Sequence, residues 1–160
     1  RLARNGMLRL TTAPLPARLL GVHLGVPGSD ARVCGVIDTG ASFTVLNWAA
    51  ATLLLGVVKA DVAKMLQERG GVSSVDARGQ ELLMPTVRAT LELHGAGRDP
   101  PGCWRAAATE VAIGDVASLE SIFGESTKPY ALIGQDLLTQ RPMLLAARQR
   151  LLCVQNPTCR

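Results

Sequence analysis

The segment Val36-Ile37-Asp38-Thr39-Gly40-Ala41-Ser42 places a carboxylate at the end of an apolar run. An acid in that position is costly unless it is paired, hydrogen-bonded or functional. Thr39 follows it with a hydroxyl that can lock its orientation, and Gly40 lets other backbone come close. The arrangement suits a carboxylate held rigidly at the floor of a cleft, whereas Asp-Thr-Gly taken alone is an ordinary turn. The apolar residues before it and Ala41-Ser42 after it favour the first reading. A second segment, Ala131-Leu132-Ile133-Gly134-Gln135-Asp136-Leu137-Leu138, runs an apolar stretch into a glycine and a short helical pattern. The acids Asp115 and Asp136 lack the context of Asp38.

Other chemistries find less support. Cys34, Cys103, Cys153 and Cys159 form no C-x-x-C pair, and His23 and His94 stand far from any cysteine along the chain. That spacing predicts no metal site, and no cofactor is expected. Cys34 reads as a small buried hydrophobe; whether Cys153 and Cys159 pair stays open. The net charge of +4 comes from 14 Arg and 3 Lys, scattered and without interleaved aromatic residues, so no nucleic-acid partner is expected. With only Phe43, Trp48, Trp104, Phe123 and Tyr130 as aromatics, Leu, Val and Ala must build the core. The longest apolar stretch, Trp48 to Val58, is interrupted and shorter than the roughly 18 residues of a membrane span, so none is expected.

The elements that position Asp38 read as mainly β. Arg18 to Val26 and Val33 to Ile37 make a hairpin across Pro27-Gly28-Ser29-Asp30. Asn47 caps a helix running to Leu55; a second helix, Asp61 to Arg69, takes Asp61 as cap and stops at Gly70-Gly71. Val72 to Val75 and Glu81 to Met84 flank Asp76-Ala77-Arg78-Gly79 as another hairpin. Thr86 to Leu93 alternates as a half-buried strand, His94 to Gly102 is loop-like, and Ala106 to Ile113 is a weaker strand. Tyr130 to Ile133 is a short strand, followed by a helical turn over Asp136 to Gln140. Met143 to Leu145 and Leu151 to Val154 flank a basic turn at Arg148-Gln149-Arg150. Residues 15–155 form the domain, with 1–14 an N-terminal extension and 156–160 a tail.

The two motifs, in this order and with a hairpin between them, resemble those of the retropepsin-like aspartic proteases. In that family a hydrophobic strand enters D-[TS]-G-A, here Val36 to Ala41, and a later apolar strand, glycine and helix lie beneath it, here Ala131 to Leu138. The resemblance implies a mainly β, retropepsin-like acid protease β-barrel with short helices. It implies Asp38 as the catalytic carboxylate, supported by Thr39, Gly40, Ala41 and Ser42. Leu132, Ile133 and Gly134 would pack under the loop. The flap over the cleft would come from Gly70, Gly71, Val72, Ser73, Ser74, Val75 and Gly79. Such enzymes need two carboxylates sharing one proton, because like charges about 3 Å apart cannot both ionise. A single Asp-Thr-Gly therefore implies a homodimer acting on a peptide or protein substrate.

Two departures accompany the resemblance. Ser42 and Gln135 stand where many viral members carry an acid and an Arg that form an ion pair, and Asn47 to Arg69 adds helical material. The first points to a cellular or retroelement-derived member over a viral one, and the second to an elaborated cellular protein. A function of another class is a catalytically silent domain of this fold, serving as a binding or scaffold subunit of a larger assembly. The Arg-rich start suits an organellar chain, plastid or mitochondrial, whose transit peptide has been removed.

Overall fold

A computed structural model describes residues 7–75, 79, 81–95, 103–124 and 127–155. The chain begins with strands β1 (Met7–Thr11), β2 (Ala13–Pro14), β3 (Leu20–Gly25), β4 (Arg32–Ile37) and β5 (Val45–Leu46). Two helices follow, α1 (Trp48–Leu55) and α2 (Val62–Arg69), then β6 (Gly71–Val75), β7 (Glu81–Ala89), β8 (Glu92–His94), β9 (Cys103–Arg105) and β10 (Thr109–Ile113). The last part comprises α3 (Ala117–Phe123), β11 (Tyr130–Ile133), α4 (Gln135–Leu138), β12 (Met143–Ala146) and β13 (Leu151–Gln155).

The larger sheet runs β6-β7-β10-β5-β11-β4-β3-β8-β9, with β2 on β3, and the smaller runs β1-β13-β12. The fold is mainly β as expected, in sheets that are not closed into a barrel. The centre of the larger sheet explains where Asp38 sits. All four residues of β11 are buried, as a strand covered on both faces requires. It pairs in parallel with β4, Ile133 opposite Ile37, and antiparallel with β5. The strand carrying the Asp-Thr-Gly loop and the strand preceding Gly134 thus end side by side.

The core is aliphatic, as the composition demands. Leu10, Leu24, Leu46, Leu91, Leu93, Ile133 and Leu152 form one buried cluster with Trp104. A smaller cluster of Val36, Val45, Met84, Leu119, Tyr130 and Leu132 lies on the Asp38 side, with the rings of Phe123 and Tyr130 stacked at 5.1 Å. Asn47 caps α1 as expected, accepting the Ala50 N–H, and Gly70 ends α2 in the left-handed region at φ 69°. No helix among the described residues is long and apolar enough to cross a membrane.

Several elements differ from the sequence reading. Asp61 does not cap α2 through its side chain; it belongs to a 3-10 turn, Lys59–Asp61, continuous with the helix. Thr86 to Leu93 is not one strand. β7 pairs with β10 up to Ala89, the chain turns at Thr90-Leu91 where the Leu91 carbonyl accepts the Ala106 N–H, and β8 continues on β3. His94, read as the start of a loop, ends β8; β9 and α3 fill unread stretches, and β1, within the segment read as an extension, pairs with β13. Residues 76–78 of the expected turn and residues 96–102 of the expected loop lie outside the described residues. Cys153 is buried and free, so it forms no bridge with Cys159, which lies outside the described residues, while Cys103 is in a disulfide. Half-buried Cys34 is also free, and burial pushes its thiol up.

Tyr130, the one tyrosine, has its hydroxyl pushed up to about 12, first by burial and then by the charges of Asp115 and Glu120. The neutral phenol is therefore favoured in the fold. Its stabilisation is complete below the unfolded value of about 10 and is lost as pH rises from there through about 12. A tyrosinate absorbance titration is expected to give a midpoint near 12 for the folded chain and near 10 in denaturant. Equal midpoints would contradict this burial.

Candidate active site

β4 ends at Ile37, and the Asp38 N–H donates to the Ile133 carbonyl at 3.0 Å, so the pairing with β11 extends into the loop. The Asp38 carboxylate accepts the Gly40 N–H at 2.8 Å, and the Ala41 N–H donates back to the Asp38 carbonyl at 3.3 Å. The acid is thus held in a tight turn, half-buried, with an exposed Gly40 beside it.

The second motif grips this loop from below. Gly134 approaches so closely that a Cβ there would stand 2.5 Å from the Phe43 carbonyl carbon and oxygen. The Gln135 N–H donates to the Ala41 carbonyl at 2.8 Å, and the Gln135 side-chain amide donates to the Thr39 carbonyl at 2.7 Å. Where the viral pattern has an ion pair, this chain has a side-chain bond to the loop backbone. Gln135→Ala removes one exposed neutral hydrogen bond, expected to cost about 1 kcal/mol in a denaturant titration. No change in midpoint would show that this bond does not hold the loop.

Thr44, which the sequence did not single out, and Asp136 of the second motif complete the support. The buried Thr44 hydroxyl accepts the Gly134 N–H at 3.1 Å and donates to Asp136 at 2.7 Å; the same Asp136 oxygen accepts the Leu137 N–H at 2.9 Å. Thr44 and Asp136 therefore tie the end of the Asp38 loop to the start of α4. No local pattern marks Thr44, because its partners lie 90 and 92 residues away.

Above the loop is a cavity of about 490 Å³. Its floor is Asp38, Gly40, Ala41 and Ser42; Ser73, Ser74 and Val75 of β6 face it, and Val45, Leu82, Met84, Val116 and Leu132 give it apolar walls. Among the described residues lining it, Asp38 is the one ionisable group. β6 and β7 pair antiparallel from Gly71 opposite Pro85 to Val75 opposite Glu81, forming the expected hairpin. Gly70, Gly71, Val72 and Gly79 do not line the cavity, nor does Thr39. Of the second motif, Leu132 reaches it, whereas the Ile133 side chain is fully buried in the main core and serves the loop through its carbonyl.

No protein-family model and no curated protein matches the sequence. Among solved structures the chain is similar to that of a retropepsin-like aspartic protease from Rickettsia conorii, with a TM-score of 0.54 and 15% identity over 93% of this chain and 89% of that one. The fold is retropepsin-like. At this identity the likeness speaks to architecture, and the loop geometry above carries the chemical argument.

Proposed function

We propose that this chain is an aspartic endopeptidase acting as a homodimer, with Asp38 of each copy at the two-fold axis. The observation that carries the reading is Asp38, held in its turn at the floor of a cavity faced by the β6–β7 hairpin, on a retropepsin-like fold. One Asp38 takes a proton from water as the water attacks the scissile carbonyl; the other, protonated, donates a hydrogen bond to that carbonyl oxygen. The β6–β7 hairpin is the flap, an extended peptide lies beneath it as an added strand, and the apolar walls receive hydrophobic side chains.

A surface beside Asp38 favours the second copy. Ile37, Thr39, Gln135, Leu138, Met143, Leu145 and Leu152 line a mostly apolar hollow of about 290 Å³, and Leu144 and Leu145 on the edge strand β12 are exposed. Thr39 lines this hollow and not the cavity, and a bond from it to the second copy would join the two Asp38 loops.

The test is cleavage of a diverse peptide library from pH 3 to 7, over protein concentrations that sedimentation shows to span monomer and dimer. Cleavage whose specific rate rises as dimer forms is expected. A folded dimer that cuts nothing moves the domain to the binding or scaffold class. Full activity in the monomer overturns the shared-carboxylate mechanism.

A further inference from the structure

Antiparallel register brings together residues that are far apart in sequence. Across β4, β3, β8 and β9, Cys34 stands opposite His23, His23 opposite His94, and His94 opposite Cys103. The neighbouring row on the same face is Arg32, Gly25, Glu92 and Arg105. Both histidines, two cysteines and a buried glutamate therefore share one face, which has no residue in common with the Asp38 cavity.

Glu92 is the centre of this face. One carboxylate oxygen accepts from Arg105 Nε at 3.0 Å and Nη2 at 2.8 Å; the other faces His94 Nε2 at 3.2 Å. Ligand atoms of Glu92, His94 and Cys103 lie within 4.8 Å of one another. A tetrahedral cation with bonds of about 2.0–2.2 Å to nitrogen and oxygen separates those two ligands by roughly 3.3 Å. The His94–Glu92 distance already matches that edge, and the cation would replace the hydrogen bond between them while Arg105 keeps the other oxygen. The Cys103 sulfur is the third donor.

Charge sets the condition for binding. Cys103 is in a disulfide whose other cysteine is neither Cys34 nor Cys153, both of which are free. In that state the single anion, Glu92, is already matched by Arg105, and Arg32 folds its side chain over Gly25 on the same face. Reduction by a dithiol delivers two electrons and two protons to the S–S bond, giving two thiols and the reductant's own disulfide; a phosphine supplies the two electrons and becomes its oxide, while water supplies the two protons and the oxygen. When a cation binds, the Cys103 thiol proton leaves to water and the sulfur lone pair forms the metal bond. The thiolate is a second negative charge, and together with Glu92 it balances the two guanidinium groups.

We propose that Glu92, His94 and Cys103 form a site for a thiophilic divalent cation of the Zn²⁺ class, available when the Cys103 disulfide is reduced and closed when it is formed. His, Cys and carboxylate donors with a fourth position left to water are a donor set that zinc accepts.

The experiment is titration of the full chain with Co²⁺ after reduction by a non-chelating phosphine, followed by competition with Zn²⁺. One Co²⁺ per chain is expected, with a thiolate-to-cobalt charge-transfer band that Zn²⁺ abolishes. The oxidised chain should lack the band. Cys103→Ser should also lack it, and His94→Ala should bind at least about tenfold more weakly. Cys34→Ser and His23→Ala should behave as the parent chain, and circular dichroism checks that every variant is folded. A reduced chain without the band, a band that survives in folded Cys103→Ser, or equal binding by oxidised and reduced chains would overturn the site.

Discussion

Asp38→Asn is expected to reduce peptide cleavage by about 10³-fold or more while leaving the fold and the dimer in place. The fold should persist because an Asn side chain keeps an oxygen to accept the Gly40 N–H, and the backbone bond from residue 38 to Ile133 does not involve the side chain. The activity should go because an amide can neither take the proton of the attacking water nor share one with its partner. General acid–base groups of this kind contribute roughly 10²–10⁴-fold each, and the substitution removes the group from both copies. Subunit mixing makes the test sharper. With equal amounts of parent and variant chains exchanging freely, about a quarter of the dimers are parent homodimers, so activity should fall well below half. Activity that falls only to half would mean that each copy works alone.

The sequence made the site legible where the chemistry is local. Asp38-Thr39-Gly40 is contiguous, and the turn it forms is closed by bonds between near neighbours. Asn47 was legible as a cap for the same reason: its bond spans three residues. The hairpins β3–β4 and β6–β7 followed from turn formers between apolar runs. What failed depends on distant partners. Thr44 carries no mark in the sequence, because its partners Gly134 and Asp136 come from the far end of the chain. The break at Thr90-Leu91 is invisible to periodicity because both sides of it are strand and only the partner changes, from β10 to β3. The facing of His94 and Cys103 was illegible for the same reason, since spacing counts residues along the chain and sheet register sets them opposite each other.

Gly134→Ala should be strongly damaging although it leaves the carboxylate untouched, costing about 3 kcal/mol in a urea titration and disabling the site. The backbone at Gly134 is ordinary, at φ −94° and ψ −177°, so alanine pays no conformational penalty there. The cost is steric: the new methyl carbon would stand 2.5 Å from the Phe43 carbonyl and 3.0 Å from the Ala41 oxygen. Both neighbours are backbone and cannot rotate away, so relief requires the loop from Ala41 to Phe43 to lift. That movement pulls on the Gln135 and Thr44 bonds that fix the loop, and on the floor of the cavity. Gly28→Ala is the contrasting case, since its Cβ would meet open space and only its φ of 77° is strained, for about 1 kcal/mol and no effect on cleavage. A Gly134→Ala chain with the parent's midpoint and activity would mean that the loop tolerates displacement and that the second motif does not position Asp38.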